Sequence, residues 1–359
     1  MRIKTITCHN VYNHGASLQA YALSRYLTEL GHEVEIIDYV PEYLRHYSLT
    51  KINNPRYDRP LVRDAYRLAK LPSRLYALAF SKRKKRFDEF TRNHLPLTKR
   101  HYPSLDSLTS EPPEADVFIA GSDQIWNPLF KNGWDGAFFL DFAPMGAKKV
   151  SYAASFAVSE LSNESKEFMS VRLSRFDSIS VRESSGRELL SQMGIEGRQV
   201  LDPVFLLDRG HWEGLAVKPK AEKYLLIYDF DASPELLAFA RATALERGLK
   251  IASLFKTEGV DIVFDGHGPR EFLGDILNAE CIISNSFHAT AFSIIFGRDF
   301  YVFRRREGIN TRMADLLAAY GLSDRMVSDS ETAAGASSKP DATRLKADID
   351  NSREFLKSI

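Results

Sequence analysis

The sequence predicts an α/β protein built from two Rossmann-like domains facing a cleft. Three observations predict it. Short apolar runs alternate with stretches whose apolar residues recur at helical spacing, which is the signature of βαβ units and mostly parallel sheets. The alternation loosens once, around residues 205–222, and then restarts. The length, 359 residues, suits two domains better than one.

Residues 3–8 read as the first strand, "NVYNHG" as a loop, and "ASLQAYALSRYLTEL" as an amphipathic helix stopped by Gly31. "EVEIIDYV" is the next strand, and residues 60–95 are mainly helical, broken at Pro72. The strand "DVFIA", the loop "GSDQIWNP", the strand "KKVSYAAS", a helix over about residues 162–174, the strand "SISV", the helix "SGRELLSQM" and the run "QVLDPVFLL" follow. After the loose stretch, "KYLLIYDF" is a strand, and Ser233 with Pro234 opens a helix as cap and first turn. "KIASLF" and "DIVF" precede the helix "PREFLGDILNA", the strand "CIIS", a helix from "NSFHATAFSIIFG" and the strand "DFYVF". The expected boundaries are a first domain over 1–204, a linker over 205–222 and a second domain over 223–327. A flexible segment poor in apolar residues covers 328–343, and a C-terminal helix covers 344–359.

Composition supports a packed core, with 44% hydrophobic and 26% charged residues. A net charge of +1 gives no reason to expect nucleic acid. Cys8 and Cys281 lie in separate apolar runs and read as reduced, buried side chains. The nine histidines are scattered, so no metal-ligand spacing is present and no metal is expected. The start "MRIKTITCHN" is too short and polar for a signal peptide, and no run is apolar enough to span a membrane, so a cytoplasmic location is expected. Basic residues outnumber acids from Arg59 to Arg100, with "KRKKR" at Lys82–Arg86. This run reads either as a solvated helical face or as attraction to anionic lipid or a lipid-diphosphate substrate, giving peripheral contact with the inner face of the membrane.

Ligands of open α/β sheets bind beyond the carboxyl ends of the strands. "NVYNHGA", "GSDQIWN", "VRESSG" and "NSFHATAF" all sit at such ends. In the last, Asn285 or Ser286 can cap the helix and Gly297 can end it in a left-handed cap. His288 then falls in the first turn, where unpaired N–H groups and the positive dipole end favour an anion. Arg182 ends its strand and can fork onto a carboxylate or phosphate, or pair locally with Glu183 or Glu188. In "GSDQIWN", Gly121 permits a tight turn, Asp123 and Gln124 offer an acceptor and an amide, and Trp126 is either a sugar platform or core. "NHGA", with Asn13 and Gly15, is only distantly like a glycine-rich phosphate loop.

Six motifs in order, "NVYNHGASLQAYAL", "FIAGSDQIWNP", "VSYAASF", "SVRESSG", "VLDPVFLL" and "SNSFHATAFSIIFG", resemble the polysaccharide pyruvyltransferase family over roughly residues 3–325. The resemblance implies a GT-B-like fold and transfer of pyruvate from phosphoenolpyruvate onto two hydroxyls of a sugar, forming a cyclic ketal. It implies roles in exopolysaccharide or capsule biosynthesis for the cell envelope, with no cofactor beyond phosphoenolpyruvate as donor. The acceptor is a sugar of a polysaccharide or of its lipid-linked repeat unit, bound on the first-domain side, with the donor on the second. His288 matches the family's histidine, expected at the donor as acid/base, and Arg182 its strand-end arginine, expected as a donor clamp. Asp123 is the candidate base from its cleft position, and Asn13, Gly15, Gln124, Asn285 and Ser286 are expected around the substrates. Many members carry arginine where this chain has Ser286. The missing charge is expected from Arg304, Arg305, Arg306 or, by preference, Arg312, in a loop running into a helix. Two other readings remain: a nucleotide-sugar glycosyltransferase of the same architecture, and a non-catalytic sugar- or anion-binding relative.

Overall fold

The computed structural model describes residues 1–45, 81–306, 311–327 and 338–359. The helical expectation for 60–80 and most of the flexible segment expected over 328–343 lie outside the described residues. The first half contains β1 (Arg2–Ile6), α1 (His14–Glu29), β2 (Glu33–Tyr39), α2 (Lys82–His94), β3 (Leu97–Tyr102), α3 (Leu105–Ser110), β4 (Val117–Ala120) and β5 (Lys148–Ser151). Next come α4 (Asn163–Leu173), β6 (Ser180–Val181), α5 (Ser184–Gln192) and β7 (Arg198–Gln199). The second half contains α6 (Arg209–Leu215), β8 (Tyr224–Tyr228), α7 (Pro234–Arg247), β9 (Lys250–Ser253), β10 (Ile262–Val263) and α8 (Pro269–Asn278). It continues through β11 (Cys281–Ser284), α9 (Phe287–Phe296), β12 (Asp299–Val302) and α10 (Thr311–Ala319), and α11 (Ala342–Lys357) closes the chain.

Two parallel sheets result, with orders β3-β2-β1-β4-β5 and β10-β9-β8-β11-β12. Each sheet therefore runs third-second-first-fourth-fifth, and each reverses direction between its first and fourth strands. Central strands such as "VFIA" and "CIIS" are buried along their whole length, as helices on both faces require. β6 and β7 form a small separate pair, bridged to the edge of the first sheet through Ser178 and Val181.

Local chemistry sets the helix ends nearest the cleft. Asn13 caps α1 by accepting from Ala16 N at 3.2 Å. Ser286, not Asn285, caps α9, accepting from Ala289 N at 3.4 Å. Gly297 ends α9 at φ 63°, where a side chain would be strained.

The stretch expected as a linker carries structure of its own. Trp212 of α6 is fully buried, donates to Val204 O at 3.0 Å, and packs edge-on against Phe292 at 5.0 Å and Tyr21 at 5.8 Å. One indole thus joins α1 of the first half to α9 of the second. The C-terminal α11 returns to the first half. Ser352 Oγ accepts from Leu201 N at 2.9 Å, and Arg353 donates to Leu206 O at 2.6 Å.

Candidate functional site

Loops following β1, β4, β8 and β11, the two strand-order reversals, converge on one cavity of about 410 Å³. Such switch points are where open α/β sheets bind ligands. Asn13, Asp123, Gln124, Asn285, Ser286, His288 and Arg312 all line it, together with Phe130, Asn132, Phe230 and Arg305. The N-cap residue of α1 and the first residues of α9 and α10 line the cavity, so three partially positive helix ends are directed there.

His288 is held from two sides. A Cβ placed on Gly15 would overlap its imidazole, beginning at Nδ1. Its Nε2 lies 3.5 Å from Asp202 Oδ2. At that distance the contact is electrostatic, and Nε2 has no hydrogen-bond partner among the described residues. Asp202 is fully buried, accepts from Val204 N at 3.1 Å and from Ser122 Oγ at 3.2 Å, and forms an ion pair with Arg182. Burial pushes its carboxyl up, but the charges of His288 and Arg182 outweigh this and hold it well below the usual carboxylate range.

Arg182 is placed differently from the sequence expectation. It pairs with Asp202 rather than with Glu183 or Glu188, and it lines a smaller cavity of about 180 Å³ behind the main one. Glu183 turns the other way, accepting from Ser155 Oγ, Phe156 N and Ala157 N. The guanidinium lies over the Phe287 ring, 4.5 Å from its centroid, with Nε and Nη2 buried and without hydrogen-bond partners. Gly15, likewise, backs His288 instead of lining the cavity.

Arg312 lines the same cavity. It sits in the first turn of α10, buried, 5.8 Å from the Phe287 centroid. Burial, reinforced by the charge of Arg182, pushes its guanidinium down to about 10. Its Nε has no partner, and no carboxylate pairs with it among the described residues. Arg305 also reaches the cavity, but its Nε is bound by Asp231 at 3.0 Å.

Asp123 takes φ +77°, a backbone state rare outside glycine. Ile125 N and Ser155 N, both donating to its carbonyl, hold it there at 2.8 and 3.0 Å. Its carboxylate stands 3.8 Å from Arg182 Nη2 and is partly exposed to the cavity. Gln124 accepts from Asn127 Nδ2 at 2.7 Å through its side-chain oxygen, leaving its NH₂ toward the cavity. Asn285 ties the β8 and β11 loops together, accepting from Phe230 N at 3.0 Å and donating to Asp229 at 2.6 Å.

One open choice is decided and two expectations are corrected. Trp126 is core and not a sugar platform: it is fully buried, donates to Phe138 O at 3.0 Å and stacks on Phe139. The basic run is not a uniform charged face. Arg83 donates to Tyr12 O at 2.8 Å and Arg86 to Gly266 O at 2.8 Å, while Lys82 and Lys85 stay exposed. Gly121 serves close packing rather than a turn, since a Cβ there would meet Thr7 and Ile6 at 3.2 and 3.3 Å. Cys8 and Cys281 are free and buried.

Sequence reasoning passed over Asp202 and His14. Asp202 stands before Pro203, and that aspartate-proline pair is a helix-start signal inside what read as a plain apolar run. His14 crosses between the halves, bonding Tyr228 Oη at 2.9 Å and stacking on Phe272 at 4.7 Å. No local pattern marks a side chain whose bonding partner Tyr228 lies 214 residues away.

Residues 13–306 match the polysaccharide pyruvyl transferase family. No curated protein matches the chain in sequence. Among solved structures, UDP-GlcNAc 2-epimerase from Neisseria meningitidis bound to UDP-GlcNAc aligns at a TM-score of 0.52 and 11% identity, covering 100% of this chain and 93% of that one. UDP-GlcNAc 2-epimerase from Methanocaldococcus jannaschii aligns at 0.50 and 12%, covering 98% and 92%. At such identity the likeness establishes the fold, which is GT-B-like. No helix among the described residues is long and apolar enough to cross a membrane.

Proposed function

Because the chain belongs to the polysaccharide pyruvyl transferase family, we propose that it transfers pyruvate from phosphoenolpyruvate to two hydroxyls of a sugar in a polysaccharide or its lipid-linked repeat unit, forming a cyclic ketal. The observation that carries this reading is Arg312, a buried guanidinium with no carboxylate in ion-pair contact among the described residues, beside the capped start of α9. A buried cation is costly unless paired. A donor bearing both a carboxylate and a phosphate satisfies it.

The methylene carbon of phosphoenolpyruvate takes a proton from the His288 imidazole, leaving the adjacent carbon electrophilic. A sugar hydroxyl bonds to that carbon and passes its proton to Asp123. The carbon–oxygen bond to phosphate then breaks, and the second hydroxyl closes the ketal. Of the two hydroxyl protons, one replaces that delivered to the methyl group and the other leaves with phosphate. Arg312 and the N–H groups opening α9 and α10 hold the donor's charge, a form of stabilisation that acts where charge accumulates. Asp202 and Gly15 keep His288 in place, and Arg182 balances Asp202. Asn13 and Gln124 face the acceptor.

Phosphorus NMR on the protein with phosphoenolpyruvate and a panel of sugar glycosides tests the reading. Inorganic phosphate should form only when a glycoside is present. UDP release from a UDP-sugar, with phosphoenolpyruvate untouched, would instead favour the glycosyltransferase reading. Neither reaction would favour the non-catalytic relative.

A further inference from the structure

The two walls of the cavity differ in chemistry. Beside Phe230 and Phe287 the second half contributes His288, Arg305 and Arg312, whereas the first contributes no cation, only neutral amides, one carboxylate, Cys8, Val11 and an aromatic ring. That ring, Phe130, is 43% exposed, and its neighbour Leu129 is 63% exposed. A single exposed apolar side chain needs no explanation. Phe130 differs in its surroundings, because it has no ring partner among the described residues yet lines the cavity. Phe230, across the same cavity, is instead backed by Tyr228 at 4.7 Å and by Arg305, 5.0 Å from its centroid.

Polar groups flank Phe130. Asn132 donates to Gln124 O, and its own side-chain oxygen makes no hydrogen bond to any described residue. The Gln124 NH₂ is equally unengaged. A free aromatic face beside a neutral donor and a neutral acceptor matches a pyranose, whose C–H face is apolar and whose rim carries hydroxyls. We propose that Phe130 is the stacking platform for a pyranose ring of the acceptor, with Gln124 and Asn132 binding its hydroxyls. The name of acceptor rests on the pyruvyl-transfer reading; the sugar site itself does not.

Saturation-transfer NMR titrations with the methyl glycosides of glucose, galactose and mannose test this on the parent, Phe130→Ala and Phe130→Trp proteins. Phosphoenolpyruvate is titrated separately. At least one glycoside should bind with saturation strongest on the protons of one ring face. Phe130→Ala should weaken that binding at least about fivefold, and Phe130→Trp should restore it to within about twofold. Phosphoenolpyruvate affinity should not change. Equal glycoside affinity in Phe130→Ala, or no glycoside bound by the parent, would overturn the proposal. Glycoside binding that needs Phe130 in a protein that never binds phosphoenolpyruvate would leave this site standing and remove the pyruvyl-transfer reading.

Discussion

Gly15 and His288 touch across the two halves of the protein, and the contact leaves no room for a side chain at residue 15. The glycine stands in the first turn of α1 and the histidine in the first turn of α9, so their contact fixes where the imidazole sits at the cavity.

Gly15→Ala should therefore displace the imidazole. Alanine is the better helix former by up to about 1 kcal/mol, so lost helix propensity would not explain a defect. Turnover should fall about a hundredfold, the scale of lost acid–base help. Turnover within about threefold of the parent would show that His288 adapts without consequence.

Arg312 and Arg182 should part company when mutated. Arg312→Ala should raise the donor Michaelis constant at least about tenfold, with partial recovery in Arg312→Lys, whose ammonium lacks the planar fork. Arg182→Ala leaves Asp202 buried beside His288 alone, and should cost about 3–5 kcal/mol of stability. Steady-state kinetics and chemical denaturation read the two effects. A raised donor constant without lost stability in Arg182→Ala would exchange the roles.

Asp275 gives the protein a pH-dependent stability term. Burial pushes its carboxyl up to about 6 from an ordinary 3.8, against the pull of His267 at 2.7 Å. Folding thus favours the protonated form, so this stabilisation is complete below the unfolded value and is lost as pH rises through about 6. Asp275→Asn stays neutral and should be more stable than the parent near pH 7.5, by up to about 3 kcal/mol. The gap should close towards pH 4. Because His267 contacts Asp275, the readout is the difference between the two proteins. A gap independent of pH would contradict the assignment.

The basic run now reduces to two exposed lysines. If they meet anionic lipid, Lys82→Gln with Lys85→Gln should weaken sedimentation with phosphatidylserine vesicles at low salt, each charge contributing about 1 kcal/mol. Parent protein that ignores such vesicles would leave a solvated helix face.

Much of the fold was legible because its signals are local. Ser233 with Pro234, and Gly297, mark helix ends by their own chemistry, and buried runs such as "VFIA" mark parallel strands. The cavity was legible in part, since strand-end loops such as "GSDQIWN" and "NSFHATAF" announce themselves by position. What stayed hidden depends on distant partners. Arg182 looked able to clamp a ligand because nothing in "SVRESSG" reveals Asp202, twenty residues on, and Trp126 stayed open between sugar platform and core because its burial by Phe139 and Phe156 is tertiary.

The transfer reaction run in D₂O tests the central claim most directly. Protonation of the methylene carbon predicts a ketal methyl group carrying one deuterium, visible by proton NMR and mass spectrometry, with one phosphate released per ketal. His288→Gln should reduce that product about a hundredfold or more. Phosphoenolpyruvate left unchanged beside every glycoside while a UDP-sugar is consumed would contradict the claim.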